Sequence, residues 1–358
     1  MPSLFRRHPI YGLPFDAALT NELELEYRRL PPGRRASALR KVVQRELLLR
    51  LTGQAGRRVA RVPAQARRML WIYTWTTVGD SLMDLAVRAH LPARLQIDLL
   101  ITPLLAPLYQ GDPRFNSVLT RPEDVRDTPD FVLLQDLSTA SLALKRRCAP
   151  SAPFATVFEH LRGERFDRLG FAQRRMEQLF GLAVADPARP TLHLAEARVA
   201  PADATRMRIA VALGARDPRR RYRRWPEVLQ TLVERWPEDL PPPLFTLLGS
   251  ANAFDDLAAF ASEFIERHCL VAVGRLDLLG SAALIRSCDA FLGTDGGLMH
   301  LAVALDKPGA ALFVEIDPRL RLLPGSPMRA LFALTELDGL APHEVATLLL
   351  DALPNAPG

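Results

Sequence analysis

Two runs of alternating apolar strands and amphipathic helices constrain this 358-residue chain more than any other feature of it. In the first, residues 69–73, 97–102, 116–120 and 130–135 read as strands, with helix over 84–89 and 103–110. The pattern is less regular from about 140 to 205, apart from a helical patch at 171–180, and then restarts. Strands are expected at 208–213, 244–248, 270–273, 290–293 and 310–314, and helices at 226–235, 255–267, 281–287 and 298–305. Near-continuous apolar strands alternating with helices are buried on both faces, the habit of parallel sheets. The sequence therefore predicts an α/β chain of two Rossmann-like, doubly wound lobes with a cleft between them. Ligands would sit beyond the carboxyl ends of the strands. The expected divisions are a basic helical N-terminal extension over 1–65, a first lobe over 66–204 and a second over 205–358.

Composition narrows the class. Hydrophobic residues are 48% and charged residues 24%, enough apolar material for full cores. Cys148, Cys269 and Cys288 show no CxxC spacing, which argues against a zinc site or a disulfide framework. Residues 1–7 lead into a Pro/Gly-containing stretch rather than an apolar run, and no apolar segment approaches the roughly 18–20 residues that span a bilayer. A cytoplasmic protein is expected, with the inner membrane face as a peripheral location. The net charge of +6 is uneven: residues 1–70 hold 15 Lys/Arg against 5 Asp/Glu, and the remainder 31 against 35. Within the extension, Leu39, Val42, Val43, Leu47 and Leu51 recur at helical spacing among Arg40, Lys41, Arg45 and Arg50, until Gly53 and Gly56 end the pattern. Two readings stand: a helix packed on the body, or residues 34–68 as a contact with an anionic membrane surface. Nucleic acid is not expected as a partner, because the basic excess is confined to the extension.

The stretch 291–308, FLGTDGGLMHLAVALDKP, carries the chemistry. An apolar strand ends at Gly293, and Asp295-Gly296-Gly297 turns into an apolar helix containing His300. Small residues let backbone N–H groups approach a ligand closely, and the helix start carries about half a positive charge, which suits a phosphate. The same turn also serves as an ordinary strand-to-helix connection, with Asp295 as a cap. Upstream, Arg219–Arg221 and Arg223–Arg224 lead into Trp225-Pro226, a helix start. That run is either a phosphate-facing cluster or a solvated basic loop. Asp255 and Asp256 open a helix and would interact favourably with its dipole there. Asp80 follows Gly79 after the first strand, where Asp often serves as an N-cap.

The segment 295–308 resembles the signature of glycosyltransferase family nine, the lipopolysaccharide heptosyltransferases, at Asp295, Gly297, His300, Leu301, Ala302, Ala304, Leu305 and Pro308. Further segments agree in order: Gly214-Ala215-Arg216 with Arg223…Trp225-Pro226, Leu248-Gly249-Ser250 with the Asp255-Asp256 pair, and residues 69–80 with Gly79-Asp80. The resemblance implies an inverting transferase that moves a heptose or related sugar from a nucleotide donor, ADP-linked by expectation. The acceptor would be the lipopolysaccharide core or another lipid-linked or surface glycan. It implies that Asp295, Gly296, Gly297 and His300 hold the donor diphosphate and that Arg223 meets its phosphate. Asp255 or Asp256 would meet the ribose, and Asp80 would be the general base. No metal or cofactor is expected, since cationic side chains and helix dipoles can meet the leaving diphosphate. Gly296 replaces the usual Ser or Thr, Thr74 stands where arginine is common, and Glu315 puts an acid beside an anionic donor. These departures motivate an alternative, a non-catalytic sugar-nucleotide or glycan-binding scaffold.

Overall fold

The computed structural model describes residues 17–159, 167–194 and 205–353. It forms two compact units, Met1–Thr76 with Met83–Arg189, and Thr77–Leu82 with Pro190–Gly358. The short segment 77–82 thus packs with the second unit although both its flanks belong to the first.

In chain order the first part of the protein runs α1 (Ala17–Arg29), α2 (Pro32–Leu51), β1 (Arg68–Tyr73), α3 (Val78–Asp84), β2 (Gln96–Ile101) and α4 (Ala106–Tyr109). It continues with β3 (Ser117–Leu119), β4 (Phe131–Asp136), α5 (Thr139–Cys148), β5 (Phe154–Phe158) and α6 (Arg168–Phe180). The sheet order is β3-β2-β1-β4-β5, all parallel, with Arg68 opposite Gln96 and Met69 opposite Phe131. Leu70 and Ile72 of β1 and Val132 and Leu134 of β4 share one core with Leu142 of α5 and Leu49 of α2. Helix α2 is therefore seated on the unit by its Val42 and Leu49, both buried. The chain after it lies along the edge strand β5: the Val59 N–H donates to the Phe154 carbonyl at 2.9 Å, and Arg58 pairs with Glu46 at 3.0 Å and with Glu159. Covering an edge in this way removes a template for unwanted strand addition.

Two expectations for this region need correction. The helix at 84–89 lies earlier, as α3, followed by a 3-10 turn over Ala86–His90. That turn lets the buried Arg88 reach the Leu85 carbonyl at 2.9 Å and Asp112 at 2.6 Å. The stretch after 140 is more regular than expected as far as Phe180, in α5, β5 and α6, while residues 181–194 hold no helix or strand. Ser138 caps α5 by accepting from the Ser141 N–H at 3.1 Å, and every residue of β5 is buried.

The second unit holds β6 (Met207–Ala212), α7 (Trp225–Glu234), β7 (Pro243–Leu248), α8 (Phe254–Leu257), α9 (Ser262–His268) and β8 (Cys269–Val271). These are followed by α10 (Leu278–Ser287), β9 (Ala290–Thr294), α11 (Gly297–Ala304), β10 (Gly309–Val314), β11 (Met328–Ala333) and α12 (Pro342–Leu350). Its parallel sheet has the order β11-β10-β9-β6-β7-β8. Val211, Leu292 and Leu312 from the central strands pack with Trp225 and Leu229 of α7 and Val345 of α12. The single helix expected over 255–267 is broken into α8 and α9, between which Phe260 turns into the core and stacks on Phe264 at 6.2 Å.

Truncating a fully buried leucine removes its transfer energy and leaves a cavity. Leu49→Ala is thus expected to destabilise the protein by about 2–5 kcal/mol. Leu47, 55% exposed on the same helix, should tolerate alanine to within about 0.5 kcal/mol. Urea unfolding of both variants checks the seating of α2; equal, negligible losses would mean the helix is not held by Leu49.

Candidate active site

The turn between β9 and α11 sits at the carboxyl end of a central strand, where neighbouring parallel strands leave an open crevice. Gly296 is the N-cap of α11 and has no side chain to cap with, so the first N–H groups of the helix face outward from a bare backbone. Asp295 does not cap the helix. It is buried, its backbone N–H donates to the Leu312 carbonyl at 2.9 Å, and its carboxylate turns to two cations. One oxygen lies 3.6 Å from Nε2 of His300 and the other 3.2 Å from the Arg220 guanidinium. The latter oxygen, Oδ2, accepts no hydrogen bond among the described residues. Burial pulls the Asp295 pKa upward, but His300, Arg220 and Arg321 together outweigh it and hold the carboxyl below its ordinary value.

His300, also buried, is set in the first turn of α11, its N–H donating to the Gly296 carbonyl at 3.1 Å. The backbone of Gly79 lies against its imidazole so closely that a Cβ on Gly79 would come 2.2 Å from Cδ2. Beside it, a Cβ on Gly297 would meet Val78 at 3.4 Å. Only a glycine at 79 permits this approach, which sets the residue before Asp80 against α11. Asp80 is the third residue of α3 rather than its N-cap. Its carboxylate accepts from the Thr77 hydroxyl at 2.5 Å, and it is partly exposed.

Each arginine of the basic run has an acidic partner. Arg219 reaches both carboxylate oxygens of Glu315 at 2.7 and 2.8 Å and also pairs with Asp217; Arg220 meets Asp295. Arg221 binds Asp256 at 2.6 Å and lies 3.4 Å from Asp255. Arg223 is held by Asp338 at 2.5 Å, through its side chain, and at 2.7 Å through its N–H; Arg224 pairs with Glu227. The cation adjoining the Asp295 turn is therefore Arg220, which no local pattern singles out, whereas Arg223 points to the loop after β11. The run is not a plain solvated loop. A 3-10 turn over Pro218–Arg220, whose first residues are capped by Asp217, sets the direction of each side chain. The Arg219 hydrogen bonds draw the Asp217 pKa down to about 2. Glu315 has φ 62°, a left-handed conformation that favours glycine, and its charge is met by Arg219.

The acidic pair after β7 separates into two roles. Asp256 is buried and accepts from the Gly214 N–H at 2.8 Å, fixing the positive-φ turn at the end of β6. Asp255 is 85% exposed. Among the described residues there is no group of three or more His, Cys, Asp or Glu able to hold a metal, and no helix long and apolar enough to cross a membrane.

Two outcomes follow from this geometry. Gly79→Ala should destabilise by about 1–3 kcal/mol through overpacking against the imidazole, and His300→Ala in the same chain should remove most of that loss. A double-mutant cycle by chemical denaturation measures the coupling, and additive effects would count against the contact. For Glu315→Gly, relief of about 1–2 kcal/mol of left-handed strain should roughly offset a half-exposed ion pair contributing about 0–1 kcal/mol. Its melting temperature should stay near that of the parent, and a drop of many degrees would contradict the balance.

Comparison with known proteins agrees with this architecture. Residues 168–326 match the profile of Glycosyltransferase family 9 (heptosyltransferase). A 47-residue stretch is 43% identical to lipooligosaccharide heptosyltransferase 2 of Haemophilus ducreyi, covering 13% of this chain and only 14% of that protein. Among solved structures, a glycosyl transferase family 9 protein of Veillonella parvula aligns with TM-score 0.65 at 16% identity, over 80% of this chain and 97% of that one. The E. coli ADP-heptose lps heptosyltransferase II aligns with TM-score 0.62 at 21% identity, over 80% and 98%. E. coli heptosyltransferase WaaC with ADP-2-deoxy-2-fluoro heptose gives 0.61 at 17%, over 78% and 98%. The chain thus shares its fold of two parallel sheets with solved glycosyltransferase family 9 structures, and residues 168–326 are similar to that family's profile.

Proposed function

We propose that this protein is an inverting glycosyltransferase that moves a heptose or related sugar from an ADP-linked donor to a lipopolysaccharide-core or other lipid-linked surface-glycan acceptor. The observation that supports the reading is the approach of Val78 and Gly79, the two residues before Asp80, to Gly297 and His300 of α11, whose bare N-terminus follows the Asp295 paired with Arg220. In this scheme the diphosphate rests on the backbone N–H groups of Gly296 and Gly297, where the start of α11 contributes about half a positive charge. Arg220 meets the negative charge that grows on the departing ADP, exchanging its contact with Asp295 for a phosphate oxygen. Asp255, exposed after β7 with Arg221 at 3.4 Å, is the carboxylate that meets the ribose, while Asp256 keeps the turn at Gly214.

Asp80 accepts the proton of the acceptor hydroxyl as that oxygen attacks the anomeric carbon. The bond to the diphosphate breaks on the opposite face, and configuration inverts. His300 orients Asp295 and fills the space under Gly79. The reaction as written needs no metal or cofactor. Gly296, which lacks the hydroxyl common at its position, supports a second reading, a scaffold that binds the nucleotide sugar without turnover. Glu315 no longer supports it, because Arg219 meets its charge.

A thermal-shift titration against ADP, UDP, GDP and CMP tests the donor site. Saturation at 100 times Kd should stabilise the protein by about 2.7 kcal/mol, selectively for ADP. Arg220→Ala should abolish most of that shift and Arg223→Ala little of it; the reverse would return the phosphate role to Arg223. Asp80→Asn should keep the ADP shift while lowering ADP release from ADP-heptose, with core-glycan acceptors present, by about 100-fold or more. No shift with any nucleotide would defeat the donor assignment. An ADP shift with no turnover in the parent protein would select the scaffold.

A further inference from the structure

Helix α2 carries apolar residues on two faces, and the fold uses only one. Val42 and Leu49 point into the first unit, 3% and 0% exposed. Leu39, Val43, Leu47 and Leu51 follow one another at i, i+4 spacing along another face and are 39%, 59%, 55% and 76% exposed. At about 1.5 Å per residue this outward stripe is roughly 18 Å long. Its apolar character has no explanation in the core of the unit, because none of its four members is buried.

The surroundings of the stripe indicate its partner. Arg40 and Arg50, both exposed, fall on the same sector of the helix at 100° per residue, and Arg34, Arg35 and Lys41 are exposed nearby. Between residues 30 and 68 there are eleven Lys/Arg and one acid, Glu46. Glu46 is taken up by Arg58 at 3.0 Å. Among the described residues no ion pair links Arg34, Arg40, Lys41 or Arg50 to an acid. A single exposed helix with an apolar stripe between cations matches a surface that is anionic outside and apolar just beneath. Long arginine stems lie along such a boundary with their heads among the phosphates.

We propose that this face of α2 is a docking surface for an anionic phospholipid membrane, the leucine–valine stripe entering the headgroup boundary and Arg40 and Arg50 meeting lipid phosphates. The basic residues attract the leaflet over a Debye length and the apolar stripe supplies the short-range hold. The inference stands on α2 alone and holds whether or not the chain transfers a sugar.

Sedimentation of the full chain with vesicles tests it. One set is phosphatidylcholine and the other is phosphatidylcholine mixed with phosphatidylglycerol. The parent should pellet with the mixed vesicles, remain in solution with phosphatidylcholine alone, and be released by salt. Val43→Ser with Leu47→Ser, and separately Arg40→Gln with Arg50→Gln, should each weaken the partition about tenfold or more at an unchanged melting temperature. Failure of the parent to bind the mixed vesicles overturns the proposal. So does loss in the arginine variant with full retention in the apolar one, which would be general charge adsorption. If the apolar variant instead lowers the oligomeric mass measured by light scattering and still pellets as the parent does, the stripe is a contact between copies and the membrane assignment is wrong.

Discussion

The contact on which the site depends is the one between the Gly79 backbone and the His300 imidazole. It requires a residue without a Cβ at 79 and a planar ring at 300. Asp295 lies 3.6 Å from the Nε2 of that ring. The contact of Gly79 with His300 and that of Val78 with Gly297 are two by which segment 77–82 packs with the second unit. The chemistry attributed to Asp80 is thus a consequence of packing. Its carboxylate has its position because its neighbour is a glycine pressed on a ring, and Thr77 then fixes its orientation.

Around this contact, charge is arranged by exchange rather than by excess. Five arginines between 219 and 224 would repel one another, yet each has an acid within ion-pair distance. Pairs that are a third or more exposed, such as Arg219–Glu315 and Arg224–Glu227, contribute little to stability. Their consequence is directional, since they decide which guanidinium is left beside the turn. Arg220 is the one whose partner, Asp295, is itself buried with an oxygen that accepts no hydrogen bond among the described residues. Its contact, at 3.2 Å, is longer than the 2.5–2.7 Å contacts that hold Arg219, Arg221, Arg223 and Arg224.

Much of the fold was legible because parallel strands buried on both faces are apolar runs, and the central strands β1, β4, β6, β9 and β10 are of that kind. Edge strand β11 has two exposed and two half-buried positions, so its periodicity was lost, and α12 after it was passed over as well. The break between α8 and α9 was hidden for another reason. The local pattern suits a helix, and tertiary packing of Phe260 overrides it. At the site, the glycine turn and His300 were legible since they are local in sequence. That Arg220, and not Arg223, adjoins Asp295 was not, because the pairing rests on partners about 75 and 95 residues away, Asp295 for Arg220 and Glu315 for its neighbour. The separate roles of Asp255 and Asp256 were equally closed to sequence reading, for burial of one and exposure of the other depends on Gly214 and Arg221.

Helix α2 shows the opposite case, in which the sequence pattern is wider than the core requires. A helix that packs on a sheet needs one apolar stripe, and further apolar residues on a solvated face cost solubility without adding to the core. Here the inward stripe is short, chiefly Val42 and Leu49, and the outward one is longer and bordered by arginines. The inward residues fix the helix to the unit, and the chain after it is tied to β5 by Val59 and Arg58. An apolar face carried on so firmly held a helix is pre-organised, and little conformational entropy is lost when something docks on it. The two readings of the extension, a helix packed on the body and a helix facing a membrane, are therefore compatible, because they concern different sides of the same twenty residues.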